Sequence, residues 1–211
     1  MALNEGNAKY AAATCMFEVG AVKFGDFKLK SGGRSPVYID LRVMQSYPQA
    51  LHALAEAMNY LVHPLSFDRL VAIPHGATPL TVVMSQLSGV PMVTSREAKE
   101  YGTSNKADGP SGKVDGAYKA GMRVAVIDDV ITDGGSKLDA YPPLLERELV
   151  IGGTFIVVDR MQGGARILQE QGYDLKALWP LDQLMESYVH NGMISTEQFE
   201  DVMDFIKTHQ F

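Results

Sequence analysis

The segment at residues 124–136 constrains the fold more than any other part of the chain. It begins with a short apolar run, VAVI, which Asp128 and Asp129 follow directly. A turn rich in glycine and hydroxyl residues comes next and leads into a helical pattern. An apolar run without polar alternation is typical of a strand buried on both faces of a parallel sheet. The segment therefore predicts an α/β fold with ligand-binding groups at the carboxyl end of a strand.

The remaining elements alternate in the way that such a fold requires. Apolar runs predict core strands at 70–73, 91–94, 123–127, 154–158 and 175–178, and two short strands precede them at 27–29 and 37–39. Periodicity and first-turn prolines predict helices at 7–22, 48–61, 78–88, 136–149, 181–190 and 196–207. We therefore expect a parallel central sheet flanked by helices.

Residues 99–120 do not fit a compact α/β unit. They are polar, rich in glycine and nearly free of large aliphatic side chains. A loop of this length within a compact domain is usually functional or disordered. We expect a flexible lid over an active site, and a tolerated surface insertion is the alternative.

Composition limits the classes of partner. The net charge of −6 argues against nucleic acid as a ligand, because binding to its backbone relies on clustered Lys and Arg. Cys15, the one cysteine, excludes an intramolecular disulfide. The N-terminus lacks the pattern of a signal peptide, and no apolar run reaches the ~20 residues that span a bilayer. We expect a cytoplasmic protein that binds small molecules.

The turn after Asp129 has the chemistry of a phosphate site. Its glycines allow successive N–H groups to converge on an anion, and the N-terminus of the next helix adds partial positive charge. Adjacent carboxylates suit the hydroxyls of a sugar phosphate, and the patterns of P-loop and dinucleotide-binding proteins are absent. On local chemistry alone, a helix cap or an acidic metal pocket stays possible.

The sequence V-I-D-D-V-I-T-D-G-G-S resembles the phosphoribosyl pyrophosphate signature of type I phosphoribosyltransferases, with Asp133 in place of a small or hydroxyl residue. Three more segments resemble the orotate phosphoribosyltransferase family. They are F-K-L-K-S-G with S-P-V-Y-I-D at 27–40, S-R-E-A-K-E-Y-G-T at 95–103 and D-R-M-Q-G-G at 159–164. I-P-H-G-A-T-P-L at 73–80 matches the loop that holds pyrophosphate and the base edge. The resemblance extends over residues 17–182 and departs from the family at Ser95, where a basic residue is usual.

The resemblance implies a site for each substrate. Phosphoribosyl pyrophosphate would contact Arg96, Lys99, Tyr101, Asp128, Asp129, Val130, Ile131, Thr132, Asp133, Gly134, Gly135 and Ser136. Orotate would contact Lys30, Ser31, Tyr38, Thr132 and Arg160. The catalytic residues would be Lys99, Asp128 and Asp129. Arg160 would hold the orotate carboxylate, since a planar guanidinium donates two parallel hydrogen bonds that lysine cannot copy.

The resemblance also implies a reaction and an assembly. Orotate would displace pyrophosphate to give orotidine 5′-monophosphate, with Mg²⁺ held mainly by substrate oxygens and water and no side chain assigned to it. A homodimer would share the lid. A small N-terminal hood at about 1–45, a core at about 66–180 and C-terminal helices at 181–211 would form one domain. Two alternatives are a phosphoribosyltransferase for a purine or uracil and a non-catalytic regulator that binds phosphoribosyl pyrophosphate.

Overall fold

The computed structural model describes residues 4–28, 33–95 and 114–211. Its helices are α1 (Glu5–Glu18), α2 (Pro48–Val62), α3 (Thr78–Ser88), α4 (Gly135–Leu145), α5 (Gly164–Glu170), α6 (Leu181–His190) and α7 (Thr196–Thr208). Its strands are β1 (Val22–Lys28), β2 (Arg34–Ile39), β3 (Arg69–Ala72), β4 (Met92–Ser95), β5 (Val114–Asp115), β6 (Arg123–Ile131), β7 (Val150–Asp159) and β8 (Leu175–Pro180). A 3-10 helix, Leu41–Ser46, joins β2 to α2.

Six strands form the central sheet in the order β5-β4-β3-β6-β7-β8. All neighbours in this sheet are parallel except β4 and β5, so β5 is an antiparallel edge strand. Strand β6 lies between β3 and β7, and its apolar residues are fully buried except Val130, which is partly buried. The predicted parallel α/β sheet is therefore confirmed.

Helices cover both faces of this sheet. Successive side chains of β6 point to opposite faces, so this strand contributes to the core on each side. Ala125 and Ile127 pack in a core cluster that includes residues of α1, α2, α3, α6 and α7. Val124 and Val126 pack in a second cluster with residues of α4 and α5. Two apolar faces on one strand explain why the sequence shows a continuous apolar run there rather than alternation.

A separate two-stranded sheet lies toward the N-terminus, where β1 and β2 pair antiparallel. Helix α7 packs against β2, so the end of the described chain contacts this hairpin. The domain bounds expected from the sequence stay a prediction. In the ranges that the structure describes, no helix is both long enough and apolar enough to cross a bilayer.

Several predicted boundaries are wrong, and each has a local cause. Helix α1 ends at Glu18, because Gly20 turns the chain at a φ of 71° and Val22 then begins β1. Strand β6 continues to Ile131, since its pairing with the long strand β7 extends past the end of β3. Helix α4 ends at Leu145 rather than 149, shortly after Pro142 and Pro143 remove two backbone donors.

The predicted lid at 99–120 is interrupted near its end. Val114 and Asp115 pair with Ser95 and Thr94 as β5, which polar composition did not indicate. Residues 99–113 of this segment lie outside the described ranges.

Candidate active site

Two turns lie in contact at the carboxyl end of the sheet, one after β6 and one after β7. The Arg160 N–H donates to the Ile131 carbonyl at 3.0 Å, and the Gly164 N–H donates to the Thr132 carbonyl at 2.9 Å. A Cβ on Gly164 would lie 2.6 Å from the same Thr132 oxygen, so this close approach requires glycine. The turn at residues 132–136, which the sequence predicts to bind phosphate, and the loop that carries Arg160 therefore form one continuous surface.

The first turn places backbone donors at the N-terminus of α4. Gly134, at a φ of 86°, precedes the helix, and a Cβ there would lie 2.5 Å from Leu168. Thr132 is half-buried, and Ser136 is exposed in the first turn of the helix. Backbone N–H groups and hydroxyls at a helix N-terminus have the chemistry that favours an anion, so the predicted phosphate site stays a prediction here.

Asp133 uses one of these donors itself. Its side chain is exposed, and its Oδ1 accepts a hydrogen bond from the Gly135 N–H at 3.0 Å. A phosphate in the turn would meet this carboxylate at close range. The departure from the family signature thus places a negative charge where an anion would bind.

The two aspartates of β6 have different surroundings. Asp128 is 5% exposed, and its Oδ2 pairs with the Lys137 ammonium at 2.7 Å. Lys137 is 3% exposed and also donates to the Val130 carbonyl. Burial raises the pKa of Asp128 to about 6, and the Lys137 charge opposes that rise. Asp128 is thus already bound within the protein.

Asp129 offers the more accessible carboxylate. It is half-buried and lines a cavity of about 100 Å³ together with Arg42, His75 and Gly76. A Cβ on Gly76 would lie 2.0 Å from the Asp129 Oδ2, so the 73–80 loop approaches the carboxylate closely only because residue 76 is glycine. The structure therefore brings the predicted pyrophosphate loop next to one of the two predicted catalytic aspartates.

Arg160 is buried at the start of the second turn, with an exposure of 8%. Its Nε donates to the Gln162 Oε1 at 2.9 Å, and its Nη2 lies 3.4 Å from the Ser35 Oγ on β2. Burial lowers the pKa of Arg160, yet a guanidinium stays charged at neutral pH. Among the described residues, no carboxylate forms an ion pair with it.

Arg160 is therefore neither a surface residue nor paired with the adjacent Asp159. The Asp159 Oδ1 instead accepts from the Met161 N–H at 2.8 Å. A buried guanidinium with neutral partners is suited to a ligand carboxylate, which would supply the missing opposite charge.

The other predicted site residues divide into two groups. Lys30, Ser31, Arg96, Lys99 and Tyr101 lie outside the described residues. Tyr38 is exposed beside Phe27, on the opposite face of β2 from Ser35. Within the described ranges, no group of three or more His, Cys, Asp or Glu side chains is placed to cage a metal ion.

Sequence reasoning missed Lys137, Ser35 and Gln162. A signal existed for Lys137, because it shares a helical face with Ala140, Tyr141 and Leu144, all of which are buried. Ser35 stands in the S-P-V-Y segment but lies 125 residues from Arg160, and no local pattern indicates that contact.

We predict that Lys137→Met lowers the free energy of unfolding by about 3–5 kcal/mol, because Asp128 is left buried without its partner charge. Urea unfolding followed by circular dichroism measures the change. Lys207→Met is the control, since its ion pair with Asp204 is exposed and is worth about 1 kcal/mol or less. Adding Asp128→Asn to Lys137→Met should recover part of the loss. Equal stability of the two single variants would contradict a buried ion pair.

Comparison with known proteins gives the family. An orotate phosphoribosyltransferase of Archaeoglobus fulgidus is 36% identical over 183 residues, which are 86% of this chain and 93% of that protein. A uridine 5′-monophosphate synthase of Caenorhabditis elegans is 33% identical over 192 residues, 89% of this chain, but the chain spans only 37% of that relative.

Solved structures give the same result. The structure of Leishmania donovani UMP synthase matches with a TM-score of 0.84 and 31% identity, over 95% of this chain and 42% of that one. A search of protein-family models finds no match. With a relative above 30% identity that is covered over nearly its whole length, the chain belongs to the orotate phosphoribosyltransferase family, a group of type I phosphoribosyltransferases.

Proposed function

We propose that this chain transfers ribose 5-phosphate from phosphoribosyl pyrophosphate to orotate, giving orotidine 5′-monophosphate and pyrophosphate. Membership of the family supports the reaction class. One observation supports orotate as the base. Arg160 is a buried guanidinium whose hydrogen-bond partners are neutral, and it lies beside the 132–136 turn. Purines and uracil have no carboxylate to offer it, so orotate fits this site better than either.

In this proposal the turn after β6 holds the 5′-phosphate of the sugar. The backbone N–H groups at the start of α4 and the hydroxyls of Thr132 and Ser136 are the donors, and residues 128–136 form the wall of the site. Asp129 faces the ribose hydroxyls, because its carboxylate is the accessible one. Asp128 acts from behind it, because its ion pair with Lys137 holds the end of β6 and so positions Asp129.

The chemistry then depends on charge that changes during the reaction. Positive charge develops on the ribose ring as pyrophosphate leaves, and groups that stabilise this state more than the ground state accelerate the step. The accessible carboxylate of Asp129 acts on the ring, and Asp128 is proposed to support it through the ion pair with Lys137. Arg96, Lys99 and Tyr101, which lie outside the described residues, are proposed to contact pyrophosphate from a lid that excludes water.

The proposal includes Mg²⁺ as the cofactor. The side chains of the described site suit Mg²⁺ only in part. Asp128 is bound to Lys137, and no cage of carboxylates exists among the described residues. Asp129, an accessible carboxylate, would hold the ion through water while substrate oxygens supply the other ligands. When bound, Mg²⁺ would neutralise charge on the departing pyrophosphate.

Orotate would bind where the hood meets the core. Ser35 of β2 and Arg160 of the core are already in contact there, which supports the proposed roles of the neighbouring Lys30 and Ser31. The role of Tyr38 as an aromatic contact stays a prediction, since its side chain lies on the opposite face of β2 from Ser35. We further propose a cytoplasmic homodimer that shares the lid.

The test of this function is the absorbance of orotate in the near ultraviolet, with purified protein, phosphoribosyl pyrophosphate and Mg²⁺. We expect loss of orotate with stoichiometric release of pyrophosphate, and no reaction with uracil or hypoxanthine. Turnover of hypoxanthine without orotate would instead indicate a purine enzyme. Binding of phosphoribosyl pyrophosphate with no reaction of any base would indicate a regulator.

We predict that Arg160→Lys raises the KM for orotate by about 10- to 100-fold, because lysine cannot donate two parallel hydrogen bonds to a carboxylate. The KM for phosphoribosyl pyrophosphate should change by about twofold or less, since the phosphate turn donates from its backbone. Steady-state kinetics with each substrate varied in turn measure both values. An equal rise in the two KM values would rule out the assigned role.

We predict that Asp133→Thr lowers the KM for phosphoribosyl pyrophosphate by about fivefold at low salt, because it removes a negative charge beside the phosphate. Asp139→Thr removes the same charge from an exposed position further along α4 and serves as the matched control. The effect should shrink as salt is added, since exposed charges are screened. If both variants behave alike, Asp133 has no specific influence on the phosphate.

A further inference from the structure

The end of the described chain lies along the loop that carries Arg160. We call residues 205–211 the C-terminal clasp. Its Phe211 N–H donates to the Gln162 carbonyl at 2.8 Å, and its Gln210 side chain donates to the Met161 carbonyl at 3.0 Å. Arg166 of α5 donates to the Phe211 carbonyl at 2.9 Å. The clasp thus contacts the loop at Met161 and Gln162 and the following helix at Arg166.

Contact between the clasp and the loop is close as well as hydrogen-bonded. Gly163 has a φ of 108°, and a Cβ there would lie 2.8 Å from the Phe211 carbonyl oxygen. A glycine at this position therefore serves two purposes, the left-handed backbone and the approach of the clasp.

Gln162 connects the clasp to the guanidinium. It is 3% exposed, its Oε1 accepts from the Arg160 Nε at 2.9 Å, and its Nε2 donates to the His209 carbonyl at 2.8 Å. An amide has one accepting end and one donating end, so the His209 carbonyl selects the orientation that presents the oxygen to Arg160. The clasp thereby determines which way the Gln162 amide faces.

The Phe205 ring restricts the movement of the Arg160 guanidinium from a second side. The Arg160 Cζ lies 5.8 Å from the centroid of the Phe205 ring, within the range of a cation–π contact. The His209 ring stacks on the Phe205 ring with centroids 4.2 Å apart, so the ring has little freedom. Arg160 is therefore contacted on three sides. Gln162 binds its Nε, the Phe205 ring lies near its Cζ, and Ser35 of β2 lies near its Nη2.

We propose that Gln162 and Phe205 are positioning residues that aim Arg160 at the carboxylate of the base, with Gln162 held by the His209 carbonyl and Phe205 by the stacked His209 ring. The inference rests on the proposed function, since it concerns how the site selects orotate. A bidentate pair requires the guanidinium plane to align with the carboxylate, so a small rotation of Arg160 weakens it. Neither positioning residue needs to touch the ligand.

Two nucleotides that differ only in the base carboxylate provide the test. Orotidine 5′-monophosphate carries the carboxylate and uridine 5′-monophosphate lacks it, so the ratio of their dissociation constants isolates the contribution of Arg160. Isothermal titration calorimetry measures both constants for the full-length wild type, Gln162→Met and Phe205→Leu. Phe199→Leu is the matched control, since Phe199 lies on the same helix and packs against the core cluster.

We expect Gln162→Met and Phe205→Leu to weaken orotidine 5′-monophosphate binding by about tenfold or more, because small misplacements of a binding group have effects of this size. Uridine 5′-monophosphate binding should stay within about twofold, as should both constants for Phe199→Leu. A role in folding alone would weaken both nucleotides equally, and that result would overturn the proposal. Unchanged binding of both nucleotides would overturn it too.

Failure of the proposed function would look different. A wild type that binds the two nucleotides equally would contradict the role of Arg160 itself. A wild type that prefers orotidine 5′-monophosphate, with variants that keep the full preference, would contradict only the positioning role of Gln162 and Phe205.

Discussion

The contact between the turns after β6 and β7 is the constraint on which the rest of the site depends. Two backbone hydrogen bonds join the turns, from Arg160 to Ile131 and from Gly164 to Thr132. Glycines at 134 and 164 remove the side chains that would separate them. The proposed phosphate turn and the arginine proposed to bind the carboxylate are thereby held on one surface, at a separation set by adjacent strands of a parallel sheet. A nucleotide with a phosphate and an acidic base is the ligand that matches such a surface.

Two buried charged groups near this contact differ in their partners. Asp128 and Lys137 neutralise each other, and their cost of burial is met within the protein. Arg160 is buried among Gln162, Ser35 and the Phe205 ring, none of which carries a negative charge. The first arrangement holds the end of β6 in shape, whereas the second leaves affinity for a ligand carboxylate. Specificity for orotate would follow from that difference.

The sequence predicted the parts of the molecule that local patterns encode. The apolar run of β6, the aspartates and the glycine turn predicted the sheet and the place of the site, and the bounds 78–88 of α3 were confirmed. Local patterns could not predict contacts between residues that are distant in the sequence. Gln162, for example, donates a hydrogen bond to His209, which lies 47 positions further along the chain. The extent of β6 depended on its neighbour β7, and the pairing of Lys137 with Asp128 depended on which face of α4 is buried.

A crystal structure with orotidine 5′-monophosphate bound would test the central claim most directly. The quantity to measure is the set of distances from the base carboxylate to the Arg160 nitrogens and from the phosphate to the N–H groups at the start of α4. The account predicts two guanidinium–carboxylate distances of about 2.7–2.9 Å, with the phosphate in the 132–136 turn of the same protomer. A carboxylate placed away from Arg160, or a phosphate outside that turn, would contradict it.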